Sequence, residues 1–400
     1  MDIETGNNRA LPRITLITAV MFTVSSVALS IASSFYLERT LSLLLLGLFL
    51  GLGLITSAFA LITGGRNKIF DPLYERTDAV GTRYVLFSLT YMMLPVLFQI
   101  LGYMFIEDFD KLITEYTTRY SLIITVLVLY VIACPMLLLT TRKIPKMVIK
   151  QRKMGLGVFA ACIAIVCALC LIGTLIGTPI HLILTTPFEH GDSFDISDVM
   201  TDTNLFERVL VVGILAPVFE EIMCRKILID HTISHGQTFS ILMSGLIFGL
   251  FHGNFQQFFY AALIGMLFAL IYIRTGRIRY TIFLHMIVNL SSSVITASLA
   301  LKLMPYADEL STLTNVPDDV LAAYFVLIMW FLFLGALALT GIILIIVFFR
   351  RLMPYRAPDE PGPGKVLGYM FRSPMFWAFV IMNLGQFASE YLPDIFYTLM

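Results

Sequence analysis

Apolar stretches about as long as a bilayer is thick recur from one end of this chain to the other, and that feature decides most of what it can fold into. A hydrocarbon core of roughly 30 Å takes about 20 helical residues to cross. Inside it, helices satisfy their backbone hydrogen bonds within the element itself. Stretches of this kind fall at about 14–36, 40–63, 84–106, 120–141, 154–178, 204–228, 237–253, 255–273, 280–302 and 320–349. A weaker one near 374–398 is interrupted by Glu390, Pro393 and Asp394, and reads as either a spanning or an interfacial segment. The pattern predicts an all-α, polytopic transmembrane helical bundle of about ten spanning helices, with that eleventh segment in addition. Composition agrees. Of 400 residues 58% are hydrophobic and 14% charged, with a mean hydropathy of +0.86, whereas a soluble domain carries roughly a quarter charged residues.

The formal net charge is zero, which argues against a nucleic-acid partner. Charge placement says more than the total. Arg66, Lys68, Arg76 and Arg83 follow the second span, "RKIPKMVIKQRK" occupies 142–153, and Arg274, Arg277 and Arg279 follow the eighth span. Residues 179–203 hold no Lys or Arg at all. Basic loops alternate with neutral or acidic ones, so the positive-inside rule places the N-terminus in the cytoplasm. The first apolar run is long and another follows at once, so it reads as a retained helix and not a cleaved signal. The acidic loop at 186–204 reads as a solvated connection, and 357–365 as a turn. The five cysteines (Cys134, Cys162, Cys167, Cys170, Cys224) lie inside apolar runs without metal-ligand or disulfide spacing and read as packing residues.

Against this background "LAPVFEEIMCRK" at 215–226 stands out. Arg208 and Arg225 are about 26 Å apart along a helix, which puts Glu220 some 7–8 Å inside the boundary marked by Arg225. A carboxylate there is costly unless it is paired or faces water. Glu221 and Arg225 are i, i+4 in the favourable order and are expected to pair. Adjacent helical residues point about 100° apart, so Glu220 lies on another face with no local partner. Pro217 cannot donate to the carbonyl of Gly213, so the helix is expected to loosen there.

Two further polar sites follow. "LIFGLFHGNF" (246–255) sets His252 one turn after Phe248, and "TIFLHMIVNL" (281–290) sets His285 and Asn289 on one helical face. Each alone reads equally well as an interhelical hydrogen-bonding residue. Together they make a set able to hydrolyse a carbonyl. Burial raises a carboxylate towards general-base range, His252 can share a water with Glu220, and His285 and Asn289 can serve as oxyanion donors. The soluble zincin signature His-Glu-x-x-His is absent.

These residues resemble the CPBP family, intramembrane proteases named for CAAX and bacteriocin processing and also called Abi proteins. Glu220, Glu221 and Arg225 match its Glu-Glu-x-x-x-Arg motif; Phe248 and His252 match Phe-x-x-x-His; His285 and Asn289 match His-x-x-x-Asn. "YIRTGRIRYTIFLH" resembles the family's Arg-Thr-Gly turn before the third motif. The resemblance covers about 204–295. It implies an integral membrane hydrolase of a bacterial cell membrane, an endopeptidase acting on a membrane-embedded or membrane-associated protein or peptide. Glu220 and His252 would activate water, His285 and Asn289 would stabilise the oxyanion, and Glu221, Arg225 and Phe248 would support the site.

The family is catalogued among metalloendopeptidases. If a metal takes part, Glu220, His252 and His285 would hold zinc, although a glutamate-activated water requires none. The expected organisation is accessory transmembrane helices over 1–200, the protease core over 201–300, and a C-terminal transmembrane helix and tail over 301–400. Two other readings stand beside the protease. One is a transporter or channel with Glu220, His252 and His285 as an ion path, although duplicated halves are not found. The other is a catalytically idle regulator of a membrane partner. Both protease and rivals require the four polar groups to be judged by whether they converge, and counting residues leaves His252 deeper than Glu220.

Overall fold

The computed structural model describes residues 72–106, 109, 126–185, 203–355 and 362–372, with further positions between 376 and 387. The spans expected at 14–36 and 40–63, most of 374–398 and the loop 186–202 lie outside the described residues. Among the described residues every regular element is helical. We number them α1 (Pro72–Phe105), α2 (Val126–Thr141), α3 (Leu156–Thr185), α4 (205–232), α5 (Gln237–Leu250), α6 (Phe255–Thr275), α7 (Arg279–Thr312) and α8 (Asp318–Val347). Two short helices follow, α9 (Phe349–Leu352) and α10 (Pro363–Arg372). Four stretches, Leu156–Leu184, Phe255–Thr275, Arg279–Thr312 and Asp318–Val347, are long and apolar enough to cross a bilayer. A helical membrane bundle therefore holds; the expected count of about ten spans is not reached among the described residues.

Two boundaries differ from the hydropathy reading. Helix α4 does not end at Arg225 and Lys226 but runs on to Thr232, because "ILIDHT" carries its own partners. Lys226 Nζ meets Asp230 Oδ2 at 2.6 Å, and the Tyr272 hydroxyl donates to Asp230 Oδ1 at 2.7 Å. Helix α5 stops at Leu250, 14 residues from its start and short of a full crossing. Gly253 there takes φ +71°, and Asn254 caps the next helix by accepting from Gln257 N at 2.8 Å. Helices α5 and α6 therefore form a tight hairpin around residues 251–254.

Glycines set the close approaches. A Cβ at Gly245 would lie 2.7 Å from Ala262 O, and one at Gly265 would lie 3.1 Å from Gly245 Cα, which fixes how near α5 and α6 come. Helix α3, outside the motif-bearing segment, is bound to α6 in the same way: a Cβ at Gly173 would collide with Tyr260 Cα. Helix α8 closes on α3, where a Cβ at Gly341 would collide with Ala164 O. The core between α1, α2, α4, α5, α6 and α7 is aliphatic and aromatic, and includes Val85, Ala133, Met223, Phe248, Phe268 and Leu284.

Candidate active site

Helix α4 winds in wide π turns over Arg208–Leu215 and Ile222–Ile227, on either side of an α segment Ala216–Glu221. The proline explains the first of these. Ala216 N–H donates to Val211 O, an i→i−5 bond. In that register the next donor would be Pro217, which has no N–H, and the acceptor would be Val212 O. Asn289 Nδ2 of α7 supplies the missing bond at 2.9 Å. The carbonyl freed by Pro217 is thus Val212, one residue earlier than the α-helical count to Gly213. The second π segment is satisfied from outside as well: Tyr84 of α1 donates to Met223 O at 2.6 Å, and Ser244 of α5 donates to Cys224 O at 2.8 Å. Three neighbouring helices therefore hold α4 in its widened form.

The widened helix presents its two glutamates differently. Glu221 and Arg225 are both fully buried and paired, Oε2 to Nε at 3.1 Å, as their i, i+4 spacing implies. The guanidinium carbon lies 4.6 Å from the Phe248 ring centroid and 5.4 Å from that of Phe268, so two aromatic faces cover the cation. Glu220 is more open, with 24% of its side chain exposed.

His285 joins the two acids. Its Nδ1 is 3.1 Å from Glu221 Oε1 and its Nε2 is 3.7 Å from Glu220 Oε2. It thus bridges the paired and the more open carboxylate from across the α4–α7 interface. Thr281, one turn earlier on the same face of α7, is fully buried beside Glu221.

Phe248 connects the histidines. Its ring meets His285 edge-on at 5.4 Å between centroids and His252 at 5.1 Å. His252 Nδ1 is 2.8 Å from Phe248 O. A carbonyl only accepts, so Nδ1 carries the proton, and in the neutral ring Nε2 keeps its lone pair. The depth mismatch suggested by the sequence largely disappears here. Because α4 continues to Thr232, Glu220 lies about 18 Å from that end of its helix, against about 22 Å for His252 from the start of α5. Glu220, Glu221 and His285 come into direct contact, and His252 joins them through Phe248. Asn289 sits one turn beyond His285 and turns one amide N–H to Val212 O, which leaves its second N–H for another acceptor.

Zinc does not fit this arrangement. Among the described residues no group of three His, Cys, Asp or Glu side chains stands close enough to hold a metal ion.

Several of these partners had no motif to mark them. Tyr84, Ser244 and Phe268 are ordinary residues of apolar helices, and only their positions after folding give them a role. Thr281 alone carried a signal, its i−4 spacing to His285.

The comparisons with known proteins fall on this same segment. Residues 202–291 match a family model described as "Type II CAAX prenyl endopeptidase Rce1-like", in agreement with the CPBP resemblance of the three motifs. A Bacillus subtilis (strain 168) protein, "Putative membrane peptidase YdiL", is 34% identical over 82 residues, which are 20% of this chain and 34% of that protein. The chain thus aligns with about a third of the length of that relative. No solved structure matches.

Proposed function

We propose that this chain is an intramembrane endopeptidase of the CPBP type, hydrolysing a peptide bond of a membrane-embedded or membrane-associated protein or peptide. The family match and the relative support a membrane protease in general terms. The observation that carries the particular reading is the division between the glutamates. Glu221 is locked to Arg225 and His285, while the more exposed Glu220 has His285 as its one close ionisable partner of opposite type among the described residues.

In this reading Glu220 is the general base and His252 Nε2 holds the attacking water beside it. Glu220 takes the water proton as the water oxygen adds to the scissile carbonyl carbon. The oxyanion is met by His285 and by the second N–H of Asn289. The proton then passes to the leaving nitrogen, the C–N bond breaks, and the water is divided between the new carboxyl and amino ends. Arg225 and Phe248 hold Glu221 and the two imidazoles in place. The basic loops support a cytoplasmic N-terminus, cleavage near the cytoplasmic side of the bilayer and, by the family type, residence in a bacterial cell membrane.

The test is peptide mapping of membranes that contain wild-type protein or Glu220→Gln at equal abundance. Cleavage products should be present with the wild type and reduced by about 100-fold or more in the variant. Equal products in both membranes would end the assignment.

A further inference from the structure

The basic stretch 142–153 has no part in the hydrolytic site, yet it is firmly held. It connects α2 to α3 without regular secondary structure over 145–155, and three main-chain bonds fasten it to helices of the site. Met147 N donates to Asp230 O of α4 at 2.8 Å, Arg152 N to Thr275 O of α6 at 2.7 Å, and Met154 N to the Tyr280 hydroxyl of α7 at 3.0 Å. Ile144 is buried in the main core, and Ile149 packs against the Ile229, Leu270 and Ile273 cluster. At Gly276, where α6 ends with φ +58°, a Cβ would come within 2.8 Å of Ile149 O, so the strap lies directly on the α6–α7 turn.

What the strap turns outward is cationic and apolar together. Lys146, Lys150, Arg152 and Lys153 are exposed, and the adjoining turn adds the exposed Arg274 and Arg279. Among the described residues none of these six cations pairs with a carboxylate. Between them Val148 is 90% exposed and Met147 49%, and Leu156, which opens α3, is 84% exposed.

We propose that this strap is a seat for anionic phospholipid headgroups at the basic end of the bundle. A soluble phosphate would explain the cations but not the apolar residues set among them. A headgroup region explains both, since lysine ammoniums meet phosphates there while valine and methionine reach the acyl boundary. The location agrees, because α2 ends at Thr141 just before the strap and α3 starts at Leu156 just after it, so the strap runs at the level where apolar helix gives way to water. Its rigidity also matters. A segment already fixed at three main-chain points has little ordering entropy left to lose on binding.

The test uses the full chain in detergent, with phosphatidylglycerol or phosphatidylcholine added and retained lipid counted by native mass spectrometry. Wild-type protein should retain phosphatidylglycerol in preference to phosphatidylcholine. The triple variant Lys146→Gln, Lys150→Gln, Lys153→Gln should bind phosphatidylglycerol on the order of a hundredfold more weakly, at about fivefold per cation. Circular dichroism and thermal unfolding would verify that the triple variant is folded; Val148→Ser, which leaves every charge in place, should also weaken retention. Equal retention of the two lipids, retention unchanged in a folded triple variant, or displacement by inorganic phosphate at millimolar concentration would each overturn the proposal.

Discussion

The Asn289 side-chain amide donates to the Val212 carbonyl at 2.9 Å, and this is the carbonyl that Pro217 leaves without a donor in the π register of α4. The bond joins α7 to α4 one turn from His285 and about two turns from Glu220. Residues that look like separate polar insertions in two greasy helices are thus complementary. One removes a donor from the backbone, and the other replaces it from across the interface. Asn289→Ala should therefore lower stability by about 1 kcal/mol. The same substitution should cost less in a Pro217→Ala background, where the backbone regains an N–H. A double-mutant cycle on thermal or SDS unfolding measures this, and strictly additive losses would contradict the pairing.

Arg225 is fully buried against Glu221 and two aromatic rings. Arg225→Met removes the cation from between the two rings and leaves the buried Glu221 carboxylate without its guanidinium. The expected loss is about 3–5 kcal/mol, because removing one partner of a buried ion pair costs more than the net worth of the pair. Adding Glu221→Gln should recover part of it. Unfolding of the two variants side by side is the measurement, and a double variant less stable than Arg225→Met alone would count against the ion pair as the reason for this burial.

Much of this site was legible before folding. The i, i+4 spacing of Glu221 and Arg225 and of His285 and Asn289 prescribes shared faces, and charge in an apolar helix marks a place of consequence. What spacing does not carry is register between helices. His285 stands between the two acids only because α7 crosses α4 at that level, and nothing in "TIFLHMIVNL" specifies the crossing. Helix ends depart from the hydropathy pattern where charged side chains find partners inside the bundle. Arg225 and Lys226 looked like a membrane boundary, yet Arg225 is buried under aromatics and Lys226 is held by Asp230 and Tyr272. The π turns were also beyond reach, since they depend on donors from Tyr84, Ser244 and Asn289 on three other helices.

Helix α3 lies outside the segment shared with the protease family, but its packing makes it part of the same body. A side chain at Gly173 would strike the backbone Cα and N of Tyr260, not a movable side-chain end. Gly173→Val should thus force α3 away from α6 and cost about 1–3 kcal/mol or more. Gly157→Val on the same helix meets nothing within 4 Å and should be close to neutral apart from propensity. Comparing thermal unfolding of the two isolates the contact. Equal effects would mean that α3 is not clamped to α6 through this glycine.

The neighbouring acids offer the sharpest contrast. Glu221 is fully buried, with Arg225 and His285 both at 3.1 Å, whereas Glu220 is 24% exposed and among the described residues has His285 alone as an ion-pair partner, at 3.7 Å. Neutralising Glu221 leaves a buried guanidinium without its carboxylate, so Glu221→Gln should destabilise the fold by several kcal/mol, of the order seen when a buried pair is broken. Glu220→Gln removes a partly solvated charge of similar shape and should change stability by less than about 1 kcal/mol, while removing hydrolysis if the proposed base is correct. Two assays on two variants therefore separate the roles. Thermal unfolding should report Glu221, and cleavage at a temperature where both variants are folded should report Glu220. If Glu220→Gln unfolds as readily as Glu221→Gln, the more exposed acid is holding the fold together and is not free to act as a base.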